Sequence, residues 1–263
     1  MRSHSESPHA SEPPRYCAVW TEPWLIHGFF GREGGVSTGS CQSLNLGYFV
    51  GDQPGAVDEN WARVCRVFGE ELTIARSNQV HGATVHSVDA RNAGHRRNGD
   101  GLVTATRGVL LCVFTADCVP IHLVDSTARV IGALHAGWRG ILAGIAGEGV
   151  AAMTRLGAQP PRIRVATGPC IRQCCFEVDA ELADRFGREI PQSRHHRRAG
   201  GPGKAMLDLG GIIREQFIHA GVAAESIGQV GNCTKCRSDL YFSHRAAAGG
   251  TTGVQLSFIG IKP

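Results

Sequence analysis

The spacing of apolar residues changes several times along the chain. Between residues 55 and 69, Val57, Trp61, Val64, Val67 and Phe68 recur at helical intervals, which predicts a helix with one buried face. Residues 80–89 alternate apolar and polar and predict a strand. Three apolar, β-branched runs follow at 108–117, 119–125 and 128–135. Only Cys118 separates the first two, and the turn-like Ser126-Thr127 joins the last two into an expected hairpin. A helix is expected from Gly137 to about Leu156, with Ile141, Ile145 and Val150 on its apolar side. Residues 162–168 predict another buried strand, and residues 254–262 a last one. Residues 179–190 predict a helix with Asp179 near its N-cap, and residues 206–221 a helix closed by Gly221. Residues 16–50 read as short strands broken by glycine turns.

Strands and helices mix without strict alternation, so the expected fold class is α+β or mixed α/β. The polar, Ser- and Pro-rich residues 1–15 read as a flexible tail, leaving residues 16–263 as a single domain. Residues 192–204 are basic, glycine-rich and aperiodic, and predict an exposed, mobile loop.

Composition narrows the function classes. A chain of 263 residues with 42% apolar content can bury a sizeable core. The net charge of +4 is a weak pull toward polyanions, so no nucleic-acid partner is expected. Positive charge is nearly all arginine, the lysines being Lys204, Lys235 and Lys262. Arginine suits bidentate capture of phosphate or carboxylate. No apolar run reaches the length of a membrane span, and the N-terminus lacks the apolar core of a signal peptide. The expected location is therefore cytoplasmic, with no membrane partner. The ten cysteines then read as buried thiols, metal ligands or nucleophiles rather than disulfides.

Several motifs fail on context. Gly35-Val36-Ser37-Thr38-Gly39 has the string of a nucleophile elbow, but no strand precedes it and no helix follows. Pro169-Cys170-Ile171-Arg172-Gln173-Cys174 is one residue too long for the nucleobase-deaminase zinc site, and the one His-x-Glu lies in the tail. Cys233 and Cys236 have zinc-ligand spacing, but a structural site needs further ligands. Cys170, Cys174 and Cys175 can supply them only through folding, so buried thiols are the expected reading. A multicopper oxidase needs several His-x-His pairs, and this chain has none.

The surviving constellation is His81, Cys118 and His135, each placed at the end of a predicted strand. His135 directly precedes the expected helix start at Gly137-Trp138-Arg139, a place where active-site groups gather. Two histidines and one cysteine suit a catalytic zinc with its fourth position open. The spacing carries no zinc signature, so on spacing alone two satisfied histidines and a buried thiol are the expected reading.

The motifs carry more weight together. Asn78-Gln79-Val80-His81-Gly82, Asp100-Gly101-Leu102-Val103-Thr104, Thr115-Ala116-Asp117-Cys118-Val119-Pro120 and His135-Ala136-Gly137-Trp138-Arg139-Gly140 occur in order. So do Arg32-Glu33-Gly34-Gly35-Val36-Ser37, Ser43-Leu44-Asn45-Leu46-Gly47, Cys174-Cys175-Phe176-Glu177-Val178 and Asp239-Leu240-Tyr241-Phe242-Ser243. Together they resemble the YfiH-like, or peptidoglycan editing factor, family, which also carries the label of laccase-domain polyphenol oxidase. The resemblance spans roughly residues 27–263. It implies a layered α/β/β/α fold with mixed sheets, shared with cysteine-dependent toxin deamidases. It also implies a metal site of His81, Cys118 and His135, which are then the catalytic residues as well. The implied activity is phosphorolysis of purine nucleosides (inosine, adenosine, guanosine or methylthioadenosine), with adenosine deamination as a possible companion. Cys170, Cys41, Gly31 and Cys236 depart from the family pattern.

Within this resemblance the expected cofactor is zinc, although a His/Cys/His set also accepts copper. Arg32 and Arg139 are candidate phosphate ligands. Asn45 and Asp117 are candidate substrate-binding residues, Asp117 through the base or by orienting a metal ligand. Arg139 as a helix cap, Trp138 as core and Asp117 as a turn residue stand beside those readings. The expected partners are a small nucleoside and phosphate. Two other functions remain in play: a hydrolase with Cys118 as nucleophile and His135 as base, editing peptidoglycan precursors, and a non-catalytic metal-binding protein.

Overall fold

The computed structural model describes residues 13–17, 20–68 and 72–263. In chain order the elements are β1 (Arg15–Tyr16), β2 (Leu25–Phe30), α1 (Pro54–Phe68), β3 (Thr73–Arg76), β4 (Val85–Ser87), β5 (Gly101–Thr104), β6 (Val109–Thr115), β7 (Val119–Asp125) and β8 (Val130–Ala136). Then follow α2 (Trp138–Leu142), α3 (Ile145–Arg155), β9 (Arg164–Thr167), β10 (Glu177–Asp179), α4 (Ala180–Glu189), β11 (Arg197–Ala199), β12 (Lys204–Leu207), α5 (Leu209–His219), β13 (Ile227–Gln229) and β14 (Gln255–Ile261). Among the described residues no helix is long and apolar enough to cross a membrane.

Two mixed sheets lie face to face. One has the order β1-β2-β14-β6-β3 and the other β13-β9-β7-β8-β5-β4. Strand alternation builds the layers. On β6, Leu110 and Cys112 face α1 together with Phe30, Leu256, Phe258, Val57, Trp61, Val64 and Phe68. Val109, Leu111 and Val113 point the other way and meet Val124, Ile131 and Ala133 between the sheets. The far face of the second sheet, through Val119, Ile121, Leu123 and Leu134, packs on Ile141, Ile145, Met153, Ile212 and Phe217. The result is helix, sheet, sheet, helix. It places two adjacent buried strands, β7 and β8, at the centre, which is why both read as continuous apolar runs rather than alternating ones. They pair antiparallel as the expected hairpin.

The structure corrects six expectations. The strand foreseen over 80–89 shrinks to β4, because residues 80–82 turn their amides onto the Asp100 carboxylate. The helix foreseen from Gly137 to Leu156 is split at Gly144, whose φ of +84° is left-handed and ends α2 before α3 begins. The stretch 192–204 is no open loop: a 3-10 turn, β11 and the start of β12 build a small antiparallel sheet with β10. Its exposed side chains hide the pattern. The helix foreseen from residue 206 begins only at Leu209, since Met206 and Leu207 belong to β12 and Asp208 caps the helix by accepting from the Gly211 amide at 3.1 Å. Arg15, counted with the tail, pairs in β1, while residues 1–12 lie outside the described part. Asp179 does precede α4, yet its carboxylate accepts from Lys204 Nζ at 2.6 Å rather than capping the helix.

Candidate metal centre

His81, Cys118 and His135 come together although they lie far apart in sequence. Their ligand atoms all lie within 4.8 Å of one another. His135 is the next-to-last residue of β8, and Cys118 is the last residue of the three-residue turn, 116–118, between β6 and β7. β7 and β8 are in register there, with Val119 opposite Ala136, so hairpin pairing alone sets Cys118 beside His135. His81 arrives from a turn, not from a strand end, and its ring meets that of His135 edge-on at 4.8 Å. His135 is buried, Cys118 half-buried and His81 exposed, so the group opens to solvent on one side.

Asp100 organises the group. One oxygen of this buried carboxylate accepts from the His81 amide at 2.9 Å, and the other from the Gly82 amide at 2.7 Å and the Val80 amide at 3.2 Å. That ring of amides fixes the turn carrying His81. The same carboxylate lies 2.8 Å from His135 Nδ1. Nδ1 therefore carries its proton toward Asp100, and Nε2 is left for Cys118 or a metal. Burial works against the Asp100 charge, but His135 and the Gly82 and His81 amides hold it below the usual carboxylate range. Burial also resists ionisation of Cys118, yet hydrogen bonds from His135 and His81 bring the thiol down to about 6. Burial resists charging His135 too, and Asp100 and Cys118 raise it to about 9. The metal-free site thus holds a thiolate–imidazolium pair.

The backbone around the group is shaped for it. A Cβ on Gly137 would stand 2.8 Å from His81 Cδ2 and 3.2 Å from Cys118 Sγ, and one on Gly140 would stand 2.7 Å from the Gly82 carbonyl. These glycines let the start of α2 pass under the His81 turn. His81 and Asp117 both have left-handed φ, +60° and +97°, which is costly for residues with a Cβ and is held here by their surroundings.

The donor chemistry fits a metal ion. Two imidazole nitrogens and a thiolate match a catalytic zinc set with one open position, and such an ion holds its donors roughly 3.3–3.8 Å apart. The 4.8 Å within which all three donor atoms fall accommodates that spacing. Copper would accept the same donors.

The remaining predicted residues divide. Asp117 stands beside Cys118, but both its oxygens are engaged: Thr234 Oγ1 donates to one at 2.6 Å and the Arg245 amide to the other at 2.6 Å. It anchors the cysteine turn. Asn45 is fully buried with all its hydrogen-bonding capacity spent on Gly47, Asp52 and Val254, so it has no atom left for a substrate. Arg32 donates to the Gln42 and Ser238 carbonyls and lies over the Phe242 ring at 4.7 Å. Arg139 is exposed in α2, four residues past His135, with its guanidinium 4.2 Å from the Trp138 ring centroid. Trp138 itself is half-buried against the core.

Sequence reasoning missed two features. Asp100 stands in a motif with no sign of its role, and only the fold shows that it ties His81 to His135. The exposed rings of Phe49 and Tyr48 were not singled out. Phe49 meets Phe114 edge-on at 6.2 Å, and Phe114 pairs through its backbone with Gln79, two residues before His81. The structure also gathers a second group, the sulfurs of Cys174, Cys175, Cys233 and Cys236, again within 4.8 Å of one another. Cys170, considered with them, is instead buried in the core.

A family model described as multi-copper polyphenol oxidoreductase laccase matches residues 26–262. A purine nucleoside phosphorylase, YlmD, of Geobacillus stearothermophilus is 39% identical over 247 residues, covering 89% of each chain. A purine nucleoside phosphorylase of Deinococcus radiodurans is 40% identical over 245 residues, covering 89% of this chain and 88% of that one. The crystal structure of the Geobacillus YlmD aligns with a TM-score of 0.88 at 36% identity, covering 96% of this chain and 98% of the other. That of Bacillus licheniformis YfiH aligns with a TM-score of 0.86 at 32% identity, covering 92% and 95%. The layered fold, the ordered motifs and these matches agree: the chain belongs to the laccase-domain family of YfiH-like proteins.

Proposed function

We propose that this protein is a zinc-dependent purine nucleoside phosphorylase. The observation that carries the reading is the convergence of His81, Cys118 and His135 on one solvent-open point, with Asp100 behind them. The names of its relatives support the substrate class. The family label of a multicopper oxidase finds little support in the donors. Among the described residues the metal-capable groups are this His–Cys–His set and an all-cysteine set, not a histidine-rich cluster for several coppers.

Phosphorolysis builds positive charge at the anomeric carbon while the purine departs as an anion. His81, Cys118 and His135 would hold the zinc ion, which would supply Lewis-acid stabilisation of developing negative charge. Asp100 keeps His135 in the tautomer that presents Nε2. Arg139, exposed beside the site, is the phosphate ligand this reading favours, since a guanidinium matches phosphate oxygens in pairs. Arg32, already committed to two carbonyls, is the weaker candidate. The exposed Phe49 ring offers a face on which a purine can stack. Adenosine deamination is the companion activity that the same residues would serve.

One observation favours a second reading. The Cys118 thiol lowered to about 6, His135 and Asp100 form a cysteine–histidine–aspartate line, the arrangement of a thiol hydrolase. Amide cleavage in a peptidoglycan precursor would suit it.

The test is metal content together with phosphate-dependent base release from inosine and adenosine, for the protein as purified and for Cys118→Ala. Base release that requires phosphate, and that disappears with one zinc ion in Cys118→Ala, is the expected result. A metal-free protein that releases no base, while Cys118 remains alkylatable, would transfer the assignment to the hydrolase.

A further inference from the structure

Residues 230–254 hold neither helix nor strand, and they lean on residues 168–176, which are equally irregular. Such long irregular stretches inside a packed domain are uncommon, and they need something to hold them. Backbone contacts supply part of it. Cys170 and Cys233 form an isolated parallel bridge, and the Thr234 amide donates to the Cys170 carbonyl at 3.1 Å. The four sulfurs of Cys174, Cys175, Cys233 and Cys236 lie where the two stretches meet.

We propose that these four cysteines bind a structural zinc ion, separate from the His81–Cys118–His135 centre. Four thiolates in a tetrahedron around zinc, with Zn–S near 2.3 Å, stand about 3.8 Å apart. Here Cys236 Sγ is 3.3 Å from Cys175 Sγ and 3.6 Å from Cys174 Sγ, and all four sulfurs fall within 4.8 Å. No two of them are joined as a disulfide. Three sulfurs crowded about one position, none bonded to another, is the arrangement of a shared ion rather than of paired thiols. Cys233 and Cys236 have the two-residue spacing of a zinc knuckle, and Cys174 with Cys175 completes the shell from the other stretch.

The surroundings suit a thiolate cluster. The Arg172 amide donates to Cys233 Sγ at 3.4 Å, a contact that stabilises a charged sulfur. The Arg172 guanidinium donates to the Gly231 carbonyl at 3.2 Å, which brings a positive charge to the stretch that carries Cys233. Binding exchanges four thiol protons for one zinc ion, with no change of oxidation state. Thiolate-only donors select zinc over magnesium or calcium.

The site has a structural consequence. Thr234 and Arg245, which lie on the irregular stretch, are the two donors to Asp117 beside Cys118. A metal clamp on this stretch therefore steadies the turn that presents the cysteine of the first centre, whatever reaction that centre performs.

The decisive measurement is zinc per chain in the full-length protein, together with X-ray absorption at the zinc edge. The wild type should hold about two zinc ions, and a His81→Ala/Cys118→Ser variant about one, surrounded by four sulfurs at about 2.3 Å. Cys174→Ser/Cys236→Ser should lose that second ion and keep the first. Should this variant prove insoluble, the absorption spectrum of the His81→Ala/Cys118→Ser protein decides alone. A His81→Ala/Cys118→Ser protein without zinc, or with nitrogen and oxygen in the shell, would overturn the proposal. So would an unreduced intact mass showing a disulfide among these cysteines.

Discussion

Gly137 has no side chain, and the proposed metal centre depends on that. A methyl group there would press on the His81 ring at 2.8 Å and on Cys118 Sγ at 3.2 Å. Overpacking of this kind costs about 1–3 kcal/mol, and here the pressure falls on two ligands. Gly137→Ala should therefore weaken metal retention and base release about 10-fold or more while the melting temperature drops only a few degrees. Equal loss of stability and of metal would mean that the glycine serves packing alone. Asp100→Asn probes the charge behind the ligands. Its carboxylate holds His135 protonated in the metal-free protein, and that charge in turn lowers Cys118. Alkylation of Cys118 in metal-stripped protein should follow a thiolate titrating at about 6. In the Asn variant the midpoint should move up toward the ordinary thiol value, because the imidazolium loses its partner. An unmoved midpoint would remove Asp100 from the account. The metal side has the matching sign. A proton held on His135 up to about 9 competes with the ion, so metal affinity should rise with pH toward that value.

At the scale of elements, the turn between β6 and β7 carries Cys118, and its hold is Asp117. Thr234→Val keeps the shape of the side chain and removes the hydroxyl that donates to Asp117 at 2.6 Å. A buried carboxylate oxygen left without that donor costs about 1–3 kcal/mol. The expected result is a matching fall in unfolding free energy together with lower turnover, and Thr234→Ser should restore both. Unchanged turnover would show that the turn keeps its shape without this bond. The sequence made β6, β7, β8 and α1 legible because each has a clean period or an unbroken apolar run. The turns were not legible. Residues 80–82 imitate an alternating strand, and only the three-dimensional position of Asp100 turns their amides inward. The pairing of β7 with β8 was predictable, and with it the meeting of Cys118 and His135. His81 stood at the edge of a foreseen strand, and the family motifs gave its place in the trio weight, although the structure puts it on a turn. Asn45 sat in such a motif too, yet it is a saturated internal polar group, since a motif cannot distinguish a residue that holds a loop from one that holds a substrate.

The whole molecule rests on two sheets pressed together, and His122 of β7 lies between them. It is fully buried, stacked on Phe29 at 4.1 Å and edge-on to His27 at 6.4 Å, and neither of its ring nitrogens has a hydrogen-bond partner among the described residues. Burial, and then the proximity of His27, lowers His122 well below the ordinary histidine value. In the unfolded chain the same ring titrates near 6.5. Between those two values the unfolded state binds a proton that the folded state refuses, so stability is intact above about 6.5 and falls with pH below it, by up to about 1.4 kcal/mol per pH unit. The carboxylates held low in the folded protein, such as Asp52 and Asp100, lose their contribution only near and below their own unfolded range of about 4. The window from about 6.5 to 5 therefore separates His122 from them. The raised pKa of His135 acts in the opposite direction, its contribution being lost as pH climbs from 6.5 through about 9, so it adds nothing to an acid limb. Cys118, lowered to about 6, contributes at the upper edge of that window in metal-free protein, and this contribution is common to the wild type and a His122 variant, so it cancels in their difference. His122→Leu keeps the volume between the sheets and abolishes the titration. Urea midpoints of the metal-stripped wild type should fall more steeply between pH 7 and 5 than those of metal-stripped His122→Leu, the excess slope being that of one proton. Parallel slopes for the two proteins would place the acid sensitivity elsewhere and leave His122 as an inert part of the core.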